Sequence, residues 1–195
     1  HARWISATAS VGAYNDIFTS DDHGVSWQPV GLRTASRFVG LKWALSDARR
    51  IYALTLKQFL VSRDAAASFQ SQGIRVSGVE IPPKRVVELI ISPRNADHLL
   101  VTVDAGSRTR LIKSMDGGVS WVDVYLIPHP RVRILFGPDG REALAVTHLG
   151  LSWRSEDGGG TWRGSDVLPE NVGCLTLDPN GQSLWACSSV YAGGP

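Results

Sequence analysis

The chain has 195 residues, 43% of them hydrophobic and 19% charged, with a formal net charge of +2. That is the make-up of a folded domain and not of a disordered tail, and so small a surplus, without any basic run, leaves no electrostatic footprint for nucleic acid. The longest apolar runs are strand-sized, far short of the roughly 20 residues that a membrane helix needs. The first residue is not Met, so the chain reads as a processed or excised piece from which a leader could already be gone.

Taken in order, residues 3–7 and 17–19 read as strands around a loop at 7–16, and a third strand follows at 26–30. The next unit gives strands at 38–44, 50–56, 58–62 and 68–70. A third gives 86–91, 99–103, 110–114 and 120–125, and a fourth 132–136, 143–147, 150–155 and 161–164. Two more strands, 173–177 and 183–188, close the series. Turn signals separate the first and second strands of the later units: Ser92-Pro93-Arg94-Asn95, Gly137-Pro138-Asp139-Gly140 and Asp178-Pro179-Asn180-Gly181 carry the Pro, Asn, Asp and Gly that tight turns select. No stretch sustains a helical period, so the chain is expected to be all-β.

One eight-residue pattern, Ser-x-Asp-x-Gly-x-Ser/Thr-Trp, returns at residues 20–27, 114–121 and 155–162. A worn copy at 62–69 has Ala66 for Gly and Phe69 for Trp. The first serines fall at 20, 62, 114 and 155, a spacing of 42, 52 and 41 residues. A period near 40–45 with four short strands per unit is the signature of a β-propeller blade. The expected organisation is a single propeller region: a partial blade at 1–30, blades at 37–70, 86–125 and 132–165, and a partial blade at 173–195, best read as a segment of a larger propeller of four-stranded antiparallel blades.

Within each box the aspartates Asp22, Asp64, Asp116 and Asp157 are placed to accept backbone N–H bonds as Asx turns do. Gly24, Gly118 and Gly159 supply positive φ, and Trp27, Trp121 and Trp162 are expected to turn inward and fill the space between blades. The pattern resembles the Asp-box, or BNR repeat, of sialidases, sortilin-type receptors, xyloglucan-cleaving glycosidases and photosystem assembly factors. The resemblance implies that the box is a structural turn between a blade's third and fourth strands, and that ligands bind on the opposite face.

That opposite face would be built from the loops at 7–16, 28–37, 71–85, 104–109, 123–131 and 163–172. Arg33, Arg37, Arg85, Arg108, Arg131 and Arg133 fall on or near it, and acidic residues collect on the box side. A weakly basic working face suits an acidic sugar or an acidic protein segment, so the expected function is that of a protein- or glycan-binding module. The alternative is glycoside hydrolysis by paired carboxylates. Asp16, Asp104 and Asp123 are its candidates, with Tyr14 and Tyr125 as conceivable nucleophiles, but none stands in a motif of the resembling hydrolases. No cofactor is expected. The boxes lack the spacing and terminal Glu of a calcium loop, and the five histidines are scattered without metal-ligand spacing.

Cys174 and Cys187 flank the last turn symmetrically and would oppose each other on paired strands, either as a cross-strand disulfide or as two thiols. Oxidation would favour an extracytoplasmic or secreted setting.

Overall fold

The computed structural model describes residues 4–11, 13–165, 172–178 and 183–188. Parts of the expected first strand, of the loop at 163–172, of the last turn and of the final partial blade fall outside them. The described chain is nearly all β. The first sheet is β1 (Trp4–Val11), β2 (Tyr14–Ser20) and β3 (Gln28–Pro29), paired in that order. Three four-stranded antiparallel sheets follow, each in simple sequence order. They are β4 (Phe38–Trp43), β5 (Ile51–Thr55), β6 (Phe59–Ser62) and β7 (Gln70–Gln72); β10 (Val86–Ile91), β11 (Leu99–Asp104), β12 (Thr109–Ser114) and β13 (Val122–Ile127); and β14 (Val132–Phe136), β15 (Ala143–Thr147), β16 (Ser152–Ser155) and β17 (Arg163–Ser165). A small hairpin, β8 (Arg75–Val76) and β9 (Val79–Glu80), and a 3-10 turn at Pro83–Arg85 lie between the second and third sheets, and β18 (Val172–Leu177) with β19 (Leu184–Ser188) ends the series.

The sheets are blades set around a common centre. β4, β10, β14 and β18 are the first strands of their units, and each touches the next. The second strands of the three complete blades are largely buried on both faces, with all of Ile51–Thr55 and five of the six residues of Leu99–Asp104 enclosed, which is why they read as continuous apolar runs. The hydrophobic core is divided between neighbouring sheets. Trp121 belongs to the cluster of Tyr52, Phe59, Ile74, Val76 and Leu89, Trp162 to that of Leu100, Leu111, Ile134 and Phe136, and Phe69 packs against Ile17, Phe38, Ala53 and Leu60. Phe69, Trp121 and Trp162 therefore each plug the joint between their own blade and the preceding one, whereas Trp27, expected to turn inward as well, is 38% exposed.

Three expectations need correction. The described residues of 7–16 are not a loop: the β1–β2 ladder continues until Val11 stands opposite Tyr14, because alternating small apolar and polar residues prolong the pairing at little entropic cost. The 71–85 stretch is not a free working loop either. Ile74, Val76 and Ile81 are buried, and Val76 bridges in parallel to Trp121, so its apolar residues close the joint over the third box. Finally, the fourth strands start after the box aromatic, as in β13 from Val122 and β17 from Arg163; the aromatic itself still belongs to the turn.

Cys174 and Cys187 are register partners on β18 and β19 and form a disulfide, with Cα atoms 5.1 Å apart. The oxidised alternative is the one the fold adopts.

Candidate functional site

The four boxes share one hydrogen-bond scheme. The first serine hydroxyl donates to Asp Oδ1 at 2.8 Å in every copy, Ser20–Asp22, Ser62–Asp64, Ser114–Asp116 and Ser155–Asp157. The serine Oγ in turn accepts the amide four residues on, from Gly24, Ala66, Gly118 or Gly159, at 2.8–2.9 Å. The aspartate's other oxygen accepts the hydroxyl of Ser26, Ser68, Ser120 or Thr161. In the three complete copies the indole N–H then donates to the glycine carbonyl at 3.0–3.1 Å. These bonds hold the charged form of the carboxylates. Asp22 is lowered to about 2, first by the Ser26 hydroxyl and then by the Ser26 amide and the Ser20 hydroxyl; at Asp157, burial pushes the other way and is outweighed by bonds from Thr161, Ser155 and Gly160. Every carboxylate lone pair so used is withdrawn from chemistry, so the boxes are fasteners.

Their position on the blade is fixed as well. Ala65, Gly117 and Gly158 donate their amides to Arg49, Asp97 and Arg141, which lie in the turn between the first and second strands of the same blade, so both sets of turns occupy one face. A cleft of about 590 Å³ opens on that face among the inner strands, lined by Trp43, Leu45, Ile91, Arg94, Phe136 and Pro138 among others. The sequence alone gave no signal for it, because its walls come from the ends of four different strands.

The catalytic candidates do not come together. Asp16 is buried at 5% exposure in β2, where Oδ1 accepts the amides of Ile17 and Leu32 at 2.8 and 3.0 Å and Oδ2 that of Gly31 at 3.2 Å. It braces the 30–32 segment. Asp104 is exposed at the end of β11 and accepts the Gly106 amide at 2.8 Å. Asp123 on β13 is gripped by both Nε and Nη2 of Arg110. Asp104 stands level with Thr109 and Asp123 level with Ile112; two strands across and three residues along, that is about 14 Å by strand spacing and rise, beyond the separation of a glycosidase pair. Tyr14 is exposed at the start of β2, and Tyr125 packs against the third-to-fourth blade core. Among the described residues of the inner strands Glu88 is the only carboxylate, and its Oε2 accepts the Ile134 amide at 3.0 Å.

The arginines fare differently. Arg37, Arg85 and Arg131 each immediately precede an inner strand, β4, β10 and β14, and all three are exposed. Because those strands are neighbours, the three guanidinium side chains start from equivalent points of three adjacent blades at the end of the inner strands opposite the boxes. Arg33 and Arg108 are exposed in the loops before β4 and before β12. Arg133 is half-exposed on β14, 4.0 Å from Glu88, so its charge is partly answered. Two of the arginine-bearing loops carry positive φ at non-glycine residues, Arg33 at 39° and Arg131 at 57°.

No family model matches the chain, and no curated protein matches it in sequence. Solved structures do. An ancestral GH74 enzyme aligns with a TM-score of 0.64 at 22% identity over 89% of this chain, the GH74 enzyme of Niastella koreensis with 0.64 at 16% over 92%, and YCF48 of Cyanidioschyzon merolae with 0.58 at 18% over 85%. The chain spans 25%, 32% and 54% of those three proteins. They are β-propeller proteins, and at these identities the likeness is one of fold.

Proposed function

We propose that the chain is an Asp-box propeller module that binds an acidic protein segment on the face opposite its boxes, in an extracytoplasmic or secreted setting. The observation that carries this reading is the repeated placement of Arg37, Arg85 and Arg131 before three adjacent inner strands. Exposed guanidinium groups at fixed blade spacing offer paired donors to successive carboxylates along an extended peptide, and Arg is the cation best shaped for that. A YCF48 structure with a bound D1 peptide is among the similar folds, which supports peptide binding as something this architecture accommodates. The Cys174–Cys187 disulfide supports the setting.

Glycoside hydrolysis is the weaker reading. The GH74 likeness is compatible with it at the level of fold, but Asp16 is engaged with backbone amides and Asp123 with Arg110, and Asp104 stands about 14 Å from Asp123 by strand spacing and rise. A glycan carboxylate remains a ligand of the same chemistry as the peptide's.

The test is titration with a glutamate-rich peptide, and with a sialylated glycan in parallel, in low and moderate salt. Reversal to Glu at Arg37, Arg85 and Arg131 together should weaken peptide binding at least tenfold and flatten its salt dependence. Binding left unchanged by the triple reversal would refute the assignment, and turnover of a xyloglucan or sialoside panel would favour the hydrolase.

A further inference from the structure

Two of the inner strands that follow the rim arginines begin with the same irregularity. β4 pairs with β5 at Phe38 and Thr55 and next at Gly40 and Leu54, and β10 pairs with β11 at Val86 and Val103 and next at Glu88 and Thr102. Val39 and Val87 are therefore the extra residues of two β-bulges, which set them outside the ladder and re-aim their side chains. Each stands two residues after a rim arginine, Arg37 or Arg85, and each is 49% exposed. On β14 the pairing runs without a bulge, and the same offset from Arg131 brings Arg133, level with Val146.

Val39 and Val87 are the lips of a pocket of about 210 Å³ between β4 and β10, and the buried Leu54 and Leu89 lie beneath them. β1 touches β4 on its other side, and β14 touches β10, so both walls are interior to the array. The volume is below the roughly 300–1,000 Å³ of a small-molecule site and suits one side chain. Its polar groups are largely committed. Tyr52 gives its hydroxyl to the Ala96 carbonyl at 2.7 Å. Glu88 accepts the Ile134 amide with Oε2 at 3.0 Å and stands 4.0 Å from Arg133 Nη1 with Oε1. A carboxylate pushed between the lips would meet the charge of Glu88, whereas an aliphatic side chain would cover Leu54 and Leu89 and remove both valines from water.

We infer that this pocket is a specificity subsite for one aliphatic side chain of a bound acidic peptide. The inference rests on the peptide-binding reading and sharpens it: side chains two residues to either side of the inserted one lie on the same side of an extended segment, about 6.5–7 Å away, where long guanidinium groups from Arg37, Arg85 and Arg133 meet them. The sequence so recognised is an acid, any residue, Leu or Val, any residue, and an acid.

Fluorescence anisotropy with two labelled peptides of equal charge tests it, one built on Glu-Ser-Leu-Ser-Glu and the other with Ser in place of the Leu. The Leu peptide should bind about tenfold tighter. Val39→Ser combined with Val87→Ser, two exposed changes whose fold is checked by circular dichroism, should bring the ratio of the two affinities close to one. Equal affinities on the native chain overturn the subsite and leave the peptide-binding reading standing. A Leu preference that persists in the double variant overturns the subsite as well, and failure of both peptides to bind overturns the reading together with it.

Discussion

His98 Nε2 stands 2.8 Å from the carbonyl oxygen of Gly158, so a side chain from the first turn of the third blade is locked onto the box of the fourth. The ring lies edge-on to Phe136 at 4.9 Å and is 6% exposed. A blade joint that is otherwise apolar thereby contains an imidazole.

Acid should loosen this joint. Burial holds His98 below its ordinary value of 6.5, with Lys113 adding to the effect and the Gly158 bond opposing it. The folded state therefore keeps the ring neutral while the unfolded chain takes up the proton first. The stabilisation is complete above about pH 6.5 and is lost as pH falls from there toward the depressed value. Melting temperatures at pH 8 and pH 5 should differ more for the native chain than for His98→Gln, which keeps a donor for Gly158 and does not titrate; equal differences would remove His98 from the acid response. The box carboxylates add a second loss only under stronger acid, with Asp22 not protonating until about 2.

The worn second box should be repairable, and the intact ones should not tolerate the reverse change. Ala65 sits at φ 59°, a left-handed conformation that costs a residue with a Cβ about 1 kcal/mol more than glycine. Ala65→Gly should raise stability by about 0.5–1 kcal/mol. Gly158→Ala adds the same strain and drives a methyl group to 2.6 Å from His98 Cε1, so a loss of about 2–4 kcal/mol is expected. Denaturant midpoints at constant m-value measure both.

Asp16→Asn separates a brace from a catalytic acid. One amide oxygen cannot replace two carboxylate oxygens that take the Ile17, Gly31 and Leu32 amides, and the loss should be about 1–3 kcal/mol. Hydrogen exchange should quicken at Gly31 and Leu32 in particular. Unaltered exchange there would contradict the bracing role.

Much of the architecture is legible in the residues because it is local. The Ser, Asp, Gly and Trp of each box lie within eight residues, so the bonds that make the turn are set by spacing alone, and the symmetric placement of Cys174 and Cys187 about the last turn gives their register. Trp27 shows the limit of such reading. Its box is as complete as that of Trp121 and makes the same Nε1 bond, yet it is exposed while Trp121 is buried, because burial depends on what the preceding blade places opposite.

The candidate site was less legible for the same reason. Sequence marks Arg37, Arg85 and Arg131 as cations just before expected strands; that those strands are neighbouring inner strands, so that the three cations share a rim, is a property of how the blades sit together. It marks Asp16 as a carboxylate near a turn, and only the fold aims the amides of Gly31 and Leu32 at it from fifteen and sixteen residues away. Short-range hydrogen-bond geometry, carried by a repeat, determines the blade and its turns. Which aromatic is covered, which acid is neutralised and which cations share a rim are decided by contacts between blades, where residues distant in the chain exclude water from one another.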